Sequence, residues 1–402
     1  MSQRTFCGHI DRIDQNGIAG WAVETNAPDI PAKLSVYING ARVATVSCGE
    51  IRPDAVAAGF PGGRQFNYRI EQSLQPGRNL IEVGFDETNL LVPNGKGEIT
   101  VSKDGQIGDH WSAQYNNKPT KLVTEWWESD YIVRRINHRI CGKYLSGVSA
   151  GLHQRALDQF GERVPFSRGV SIGCGIAYKE RAAIQCGLVE HFTLFELSSV
   201  AIERGRQAAA DAGLSDQMDF RLEDGFTSET REEVYDLVYW NNSLHHMLDV
   251  KAALEWSWRV LKKGGVLLMD DFVGPTLMQW SDKLMQINTT VRQSLPPKYL
   301  HHPTQPGYMF PAVVTRLDPQ AIQASDPSEC ADSSNILPEL RRLFPGAWIQ
   351  NTGGGIYLLG LNGVQHNILA AQDFALLEQL LELDDLCAAH GETAYAVAIA
   401  VK

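Results

Sequence analysis

An apolar run ending at Ile172 meets Gly173, Cys174 and Gly175, and a helix-compatible stretch follows. That is a strand, a tight turn and a helix N-terminus. Two residues without a Cβ let a ligand lie against bare backbone, so the turn suits a nucleotide-like molecule. Glu196 lies at the end of a second apolar run, 191–197, where its carboxylate can accept hydrogen bonds from both hydroxyls of a ribose. His245 and His246 follow a fourth run, 235–240, and Asp271 follows a fifth, 265–269. An imidazole that takes a proton while a carboxylate orients it is the arrangement of a general base held by a third group.

The elements that must position these residues form one pattern. Apolar runs at 168–172, 191–197, 218–224, 235–240 and 265–269 each end in polar residues, and stretches able to form helices separate them. In an open parallel sheet, ligands bind beyond the strand ends, so the polar ends describe one crevice. A dinucleotide fingerprint needs a third small residue three places after the second glycine. Tyr178 stands there, which disfavours a pyrophosphate and a nicotinamide-dependent oxidoreductase.

The stretch from about 170 to 272 carries SIGCGIA, LFEL, LEDG, YWNNSLHHM and LKKGGVLLMDDF, and it resembles the core of class I S-adenosylmethionine-dependent methyltransferases. The resemblance implies an α/β fold, a Rossmann-like seven-stranded sheet with helices on both faces and its last strand inserted antiparallel. It implies S-adenosylmethionine as cofactor, approached closely by Gly173, Cys174 and Gly175. Glu196 would meet the ribose, Asp224 the adenine amino group and Asn241 the methionine end. Two positions depart from the family: an acidic residue is usual where Ser171 stands, and a glycine where Ala177 stands. The first removes an expected cofactor hydrogen bond, and the second is a small-for-small exchange that helix packing tolerates.

SLHHM, with aspartate later in DDF, resembles small-molecule O-methyltransferases acting on sugar hydroxyls. That implies His245 or His246 as base and Asp271 as its orienting partner, the alternative being histidines that only shape the pocket. Asp270 and Asp271 permit a magnesium site, but metal-dependent relatives add an acid where this chain has Asn241 and Asn242. No metal ligands are assigned. The acceptor is expected to be a small molecule or glycan. Two alternatives share the motifs: an N- or C-methyltransferase on another small molecule, and a non-catalytic glycan-binding scaffold.

The 402 residues suffice for two domains, and 44% hydrophobic with 21% charged residues is an ordinary globular composition. A formal net charge of −11 argues against a nucleic-acid partner, which needs a basic footprint. Seven cysteines without paired spacing read as free thiols in a reducing compartment. The N-terminus lacks a secretory pattern and no run is long enough to cross a bilayer, so the expected location is the cytoplasm.

Residues 1–105 show short strand-like runs, IAGWAV, KLSVYI, ARVATVS, QFNYRI, NLIEVGF and EITVS, with Asn39-Gly40 as a hairpin turn and FPGGR and LVPNGKG as loops. They predict a small all-β sandwich. GHIDRID and GWAV resemble modules joined to bacterial glycan-assembly enzymes, implying glycan contact or docking to such a partner; Trp21 and Tyr37 are candidates for sugar stacking or core filling. Residues 106–402 form the second domain, with a linker at 102–120, a helix over 124–140 whose Trp126 and Trp127 either roof the cofactor site or anchor the helix as a buried pair, and a core at about 165–275. An insertion at about 276–345 is expected to select the substrate. Val250, Leu254, Trp258 and Leu261 predict one helix face, and Ser or Asp oxygens of 326–335 predict a cap for the next helix. AWIQNTGGGIYLLGL, a helix over about 367–389 and TAYAVAIAVK complete the sheet.

Overall fold

The computed structural model describes residues 4–14, 17–70, 74, 77–88, 90–101, 107–108, 110–113, 125–303 and 305–402. The chain divides into two compact units, Met1–Asp109 and His110–Lys402. The expected break at 105 and most of the expected linker lie outside the described residues, but 110–113 are helical.

The first unit holds β1 (Phe6–Asp14), β2 (Gly17–Glu24), β3 (Lys33–Ile38), β4 (Ala41–Ser47), β5 (Arg64–Tyr68), β6 (Gly77–Phe85) and β7 (Leu91–Val101). They form antiparallel sheets ordered β1-β2-β5 and β4-β3-β6-β7 around Ile18, Leu34, Val36, Phe66, Ile81 and Val83. Asn39 and Gly40, both at positive φ, turn β3 into β4. LVPNGKG is not a loop but part of β7. Its register with β6 jumps between Gly84↔Leu91 and Glu82↔Lys96, so Pro93, Asn94 and Gly95 ride on a bulge where no ladder donor is required. Trp21 is buried against Phe60, ring centroids 5.2 Å apart, and so fills the core.

The second unit is built on β8 (Phe166–Ile172), β9 (Val189–Glu196), β10 (Met218–Leu222), β11 (Tyr235–Asn241), β12 (Leu261–Phe272), β13 (Trp348–Gly353) and β14 (Tyr395–Val401). Their order is β10-β9-β8-β11-β12-β14-β13, with β14 antiparallel to β12 and β13 and the other pairs parallel. The order reverses between β8 and β11, which opens the crevice beyond their C-terminal ends. Leu237 and Tyr239 enter one hydrophobic core while Val238 and Trp240 enter the other, so the central strand is apolar on both faces. Each such fully buried side chain stabilises by roughly 1.5–3 kcal/mol.

Several expected details shift. The helix Val250–Val260 buries Trp256, whereas Trp258 is 36% exposed and rests on Phe344. Steps of four residues advance about 40° around a helix, so two such steps carry Trp258 off the face that Val250 starts. Trp126 packs on Tyr357 and Tyr395 at 5.1 and 5.0 Å, but Trp127 is 44% exposed, so the tryptophans do not act as a buried pair. The long C-terminal helix is two, Gln365–Ala370 and Phe374–Ala389, separated by Gln372 at φ 57. AWIQNTGGGIYLLGL supplies one strand, because Gly353 and Gly354 at φ 97 and 98 turn the chain away. The helix Ile336–Leu343 has no side-chain cap; Asp332 instead accepts from the Val250 N–H at 2.9 Å.

Candidate active site

Gly173 and Gly175 take φ of 64 and 56, and the Gly173 N–H donates to the Phe195 carbonyl at 2.8 Å. A Cβ on Gly173 would meet Ser243 Cβ at 3.3 Å, so the turn passes close beneath the end of β11. Ala177 keeps a left-handed conformation, φ 52 and ψ 37, at the entry to the helix Tyr178–Gln185. A glycine there would serve the backbone angle as well as packing, and alanine holds it at a cost of about 1–2 kcal/mol.

Glu196 stands at the end of β9, 7% exposed. Its Oε2 accepts from the Gly175 N–H, and its Oε1 from the N–H groups of Leu197 and Ser198, all at 2.8 Å. Burial raises its pKa, and these three donors pull against the rise. The carboxylate therefore locks the glycine turn to the neighbouring strand end, and Oε2 keeps a lone pair for a further donor. Asp224 uses Oδ1 to cap the Phe226 N–H at 2.9 Å. The thiol of Cys174 is held protonated by burial, with Glu180 and Glu196 adding to the effect.

The Asn241 side chain is tied into a buried polar network. Its Nδ2 donates to Ser149 Oγ at 2.9 Å and Tyr239 Oη at 2.6 Å, in a network that continues to His153 and Asp270. Its backbone carbonyl accepts from Lys179 Nζ at 2.9 Å, and burial lowers the Lys179 pKa. Ser171 donates to Glu180 Oε1 at 2.8 Å, and Glu180 Oε2 is buried without a partner among the described residues. Asp270 and Asp271, successive on a strand, point apart: Asp270 meets Ser149 and Asp271 meets the histidine loop, so they do not converge on one cation.

Asp271 is fully buried. Its Oδ2 accepts from the N–H groups of Ser243 and Leu244 at 2.9 Å, and its Oδ1 lies 2.6 Å from His245 Nδ1. Burial alone would lift its pKa, but His245 and the backbone donors hold it below the usual carboxylate range. For His245, burial lowers the pKa and the Asp271 charge outweighs it, leaving a net rise. The His246 ring lies 4.0 Å from that of His245, its Nδ1 is 3.1 Å from Ser328 Oγ, and burial drives its pKa well below the usual range.

The loop at 326–330, part of the insertion expected to select the substrate and expected to cap the next helix, thus reaches the histidine pair. No local periodicity marks that contact. Lys179 and Glu180 likewise gave no signal, since both sit in an ordinary-looking first helical turn.

The sheet order and the glycine turn define a class I methyltransferase domain, and residues 170–269 match the model of the methyltransferase domain family. That match shows that the chain carries a methyltransferase domain, and it supports S-adenosylmethionine as the cofactor. The positive-φ glycine turn and the Glu196 carboxylate fit that cofactor. Among similar solved structures is the [4+2]-cyclase SpnF, with 16% identity over 74% of this chain and 96% of that one, TM-score 0.41. Geranyl diphosphate C-methyltransferase from Streptomyces coelicolor A3(2) shares 11% identity over 75% and 98%, TM-score 0.42. Phosphoethanolamine N-methyltransferase 2 from Haemonchus contortus shares 11% over 96% and 69%, TM-score 0.42. No described helix is long and apolar enough to cross a membrane.

Proposed function

We propose that the enzyme methylates a hydroxyl group of a sugar or other small-molecule acceptor, with His245 as the base. The observation that carries this reading is the 2.6 Å contact of His245 Nδ1 with a fully buried Asp271 whose other oxygen is fixed by backbone N–H groups. S-Adenosylmethionine supplies a methyl group already activated by its sulfonium. The chain must then align the acceptor and remove its proton. Asp271 keeps the His245 proton on Nδ1, which leaves the Nε2 lone pair to take the proton of the acceptor hydroxyl. A hydroxyl is a poor nucleophile at neutral pH, so such a base contributes typically ~10²–10⁴-fold.

Gly173 and Gly175 would lie against the cofactor, with Glu196 at its ribose and Asp224 at its adenine end. The likeness of SLHHM and DDF to sugar O-methyltransferases supports the acceptor class, and the net charge of −11 speaks against a nucleic acid. The first unit is proposed to contact a glycan or a glycan-assembly partner in the cytoplasm, on the likeness carried by GHIDRID and GWAV. The test is a screen of sugar and alcohol acceptors with the full chain and its His245→Ala variant. Methyl transfer to an amine or carbon acceptor that survives His245→Ala would replace this reading.

A further inference from the structure

His245, His246 and Glu329 each offer one ligand atom, and the three atoms lie within 4.8 Å of one another. Each group is held from its other side. The His245 Nδ1 is engaged by Asp271, so Nε2 is the atom it offers. Ser328 Oγ gives its single proton to Asp326 Oδ1 at 2.7 Å and can therefore only accept from His246 Nδ1. That fixes the neutral tautomer of His246 with a lone pair on Nε2. The Cys330 thiol donates to Glu329 Oε1 at 2.9 Å, and Glu329 Oε2 faces His246 Nε2 at 3.9 Å. Two lone pairs thus confront each other in a largely buried site, an arrangement that a cation between them would satisfy.

We propose that His245 Nε2, His246 Nε2 and Glu329 Oε2 bind a divalent transition metal of the zinc class. Nitrogen and carboxylate ligands about 2.0–2.2 Å from zinc stand roughly 3–4.4 Å apart, within small reach of the spacing here. Two imidazoles and one carboxylate, each hydrogen-bonded behind by Asp271, Ser328 and Cys330, form the usual set of ligands with outer partners and leave positions open. Asp326, 3.7 Å from His246 Nδ1 and 3.6 Å from His110 Nε2, adds negative charge nearby, while Lys179 opposes it. The site differs from the adjacent aspartates 270 and 271. Its consequence rests on the reading of His245 as base: one lone pair cannot ligate a metal and take the acceptor's proton, so metal occupancy switches methyl transfer off.

The test titrates the chelator-treated full chain with Zn²⁺ by calorimetry and Co²⁺ by visible absorption, with neither cofactor nor acceptor. One equivalent is expected, with cobalt bands free of thiolate charge transfer. His246→Gln and Glu329→Gln should each weaken binding at least about 10-fold, while unchanged S-adenosylmethionine binding shows that the fold is kept. Binding equal in wild type and the double variant overturns the site, as do thiolate bands. With a hydroxyl acceptor, Zn²⁺ should inhibit wild type and inhibit Glu329→Gln less; turnover that falls on chelation overturns the exclusion. One equivalent of cobalt bound by a protein that methylates no hydroxyl upholds the site and removes the functional reading alone.

Discussion

Ser171 Oγ donates to Glu180 Oε1 at 2.8 Å, with both residues at most 2% exposed. The acid missing from the end of β8 is supplied from the first turn of the following helix. Burial raises the Glu180 pKa, and the Ser171 hydroxyl pulls against it. Ser171→Asp would press two carboxylates into one dry pocket, at about 3–5 kcal/mol and roughly 10 °C in Tm. Ser171→Asp with Glu180→Ser restores one acid and one hydroxyl, and thermal unfolding should show about half or more of the loss recovered. A double variant as unstable as Ser171→Asp alone would show that the two positions are not exchangeable.

Glu196 ties Gly175, Leu197 and Ser198 to one carboxylate. Glu196→Ala should weaken S-adenosylmethionine binding by about 10- to 100-fold in calorimetry, because both the ribose partner and the turn's anchor are lost. Glu196→Gln, which keeps one accepting oxygen, should fall between. Equal affinity in all three proteins would remove Glu196 from the cofactor site.

His245→Ala should lower single-turnover methyl transfer to a hydroxyl by ~10²–10⁴-fold with little change in cofactor affinity. Asp271→Asn should lower the rate too, and it should also cost stability, since Asp271 accepts from the backbone of Ser243 and Leu244. Rate and denaturation measured together separate the two effects.

Glu229 reports on acid stability. It accepts from Arg231 Nε at 2.9 Å and Nη2 at 2.6 Å and from Tyr235 Oη at 2.8 Å. The Arg231 hydrogen bonds, chiefly, hold its carboxyl down at about 2 from an ordinary 4.5. A depressed folded value means the stabilisation is whole above the unfolded pKa and fades as pH falls toward 2. Glu229→Gln should cost ~1.5–3 kcal/mol at pH 7, and the gap between the variant's and wild type's urea midpoints should narrow as pH falls below 4.5 and close at about pH 2 and below.

Much of the frame could be read locally. The continuous apolar run at 235–240, the Gly173–Gly175 turn and the acid at the end of β9 are properties of neighbouring residues, and a strand or turn forms from what is next to it. The same reasoning placed His245 and Asp271 at adjacent strand ends. It misjudged Trp258, where a four-residue step drifts around the helix, and LVPNGKG, where a bulge absorbs turn-forming residues into β7.

Partners far apart in the chain were beyond it. Sequence alone determined a parallel-sheet core, the crevice at its strand ends and the residue types at its mouth, because hydrophobic period and turn residues are encoded within short windows; the methyltransferase reading came from the resemblance of its motifs. Only the tertiary structure decided that Glu180 answers Ser171, that Asn241 turns to Ser149 and Tyr239, and that Glu329 and Ser328 reach the histidines. The contacts of Glu329 and Ser328 depend on where the segment after β12 returns over the strand ends, and the others on how the helices before and after β8 pack against it and β11. A path through space, fixed by packing of the whole unit, leaves no period in the residues that it brings together.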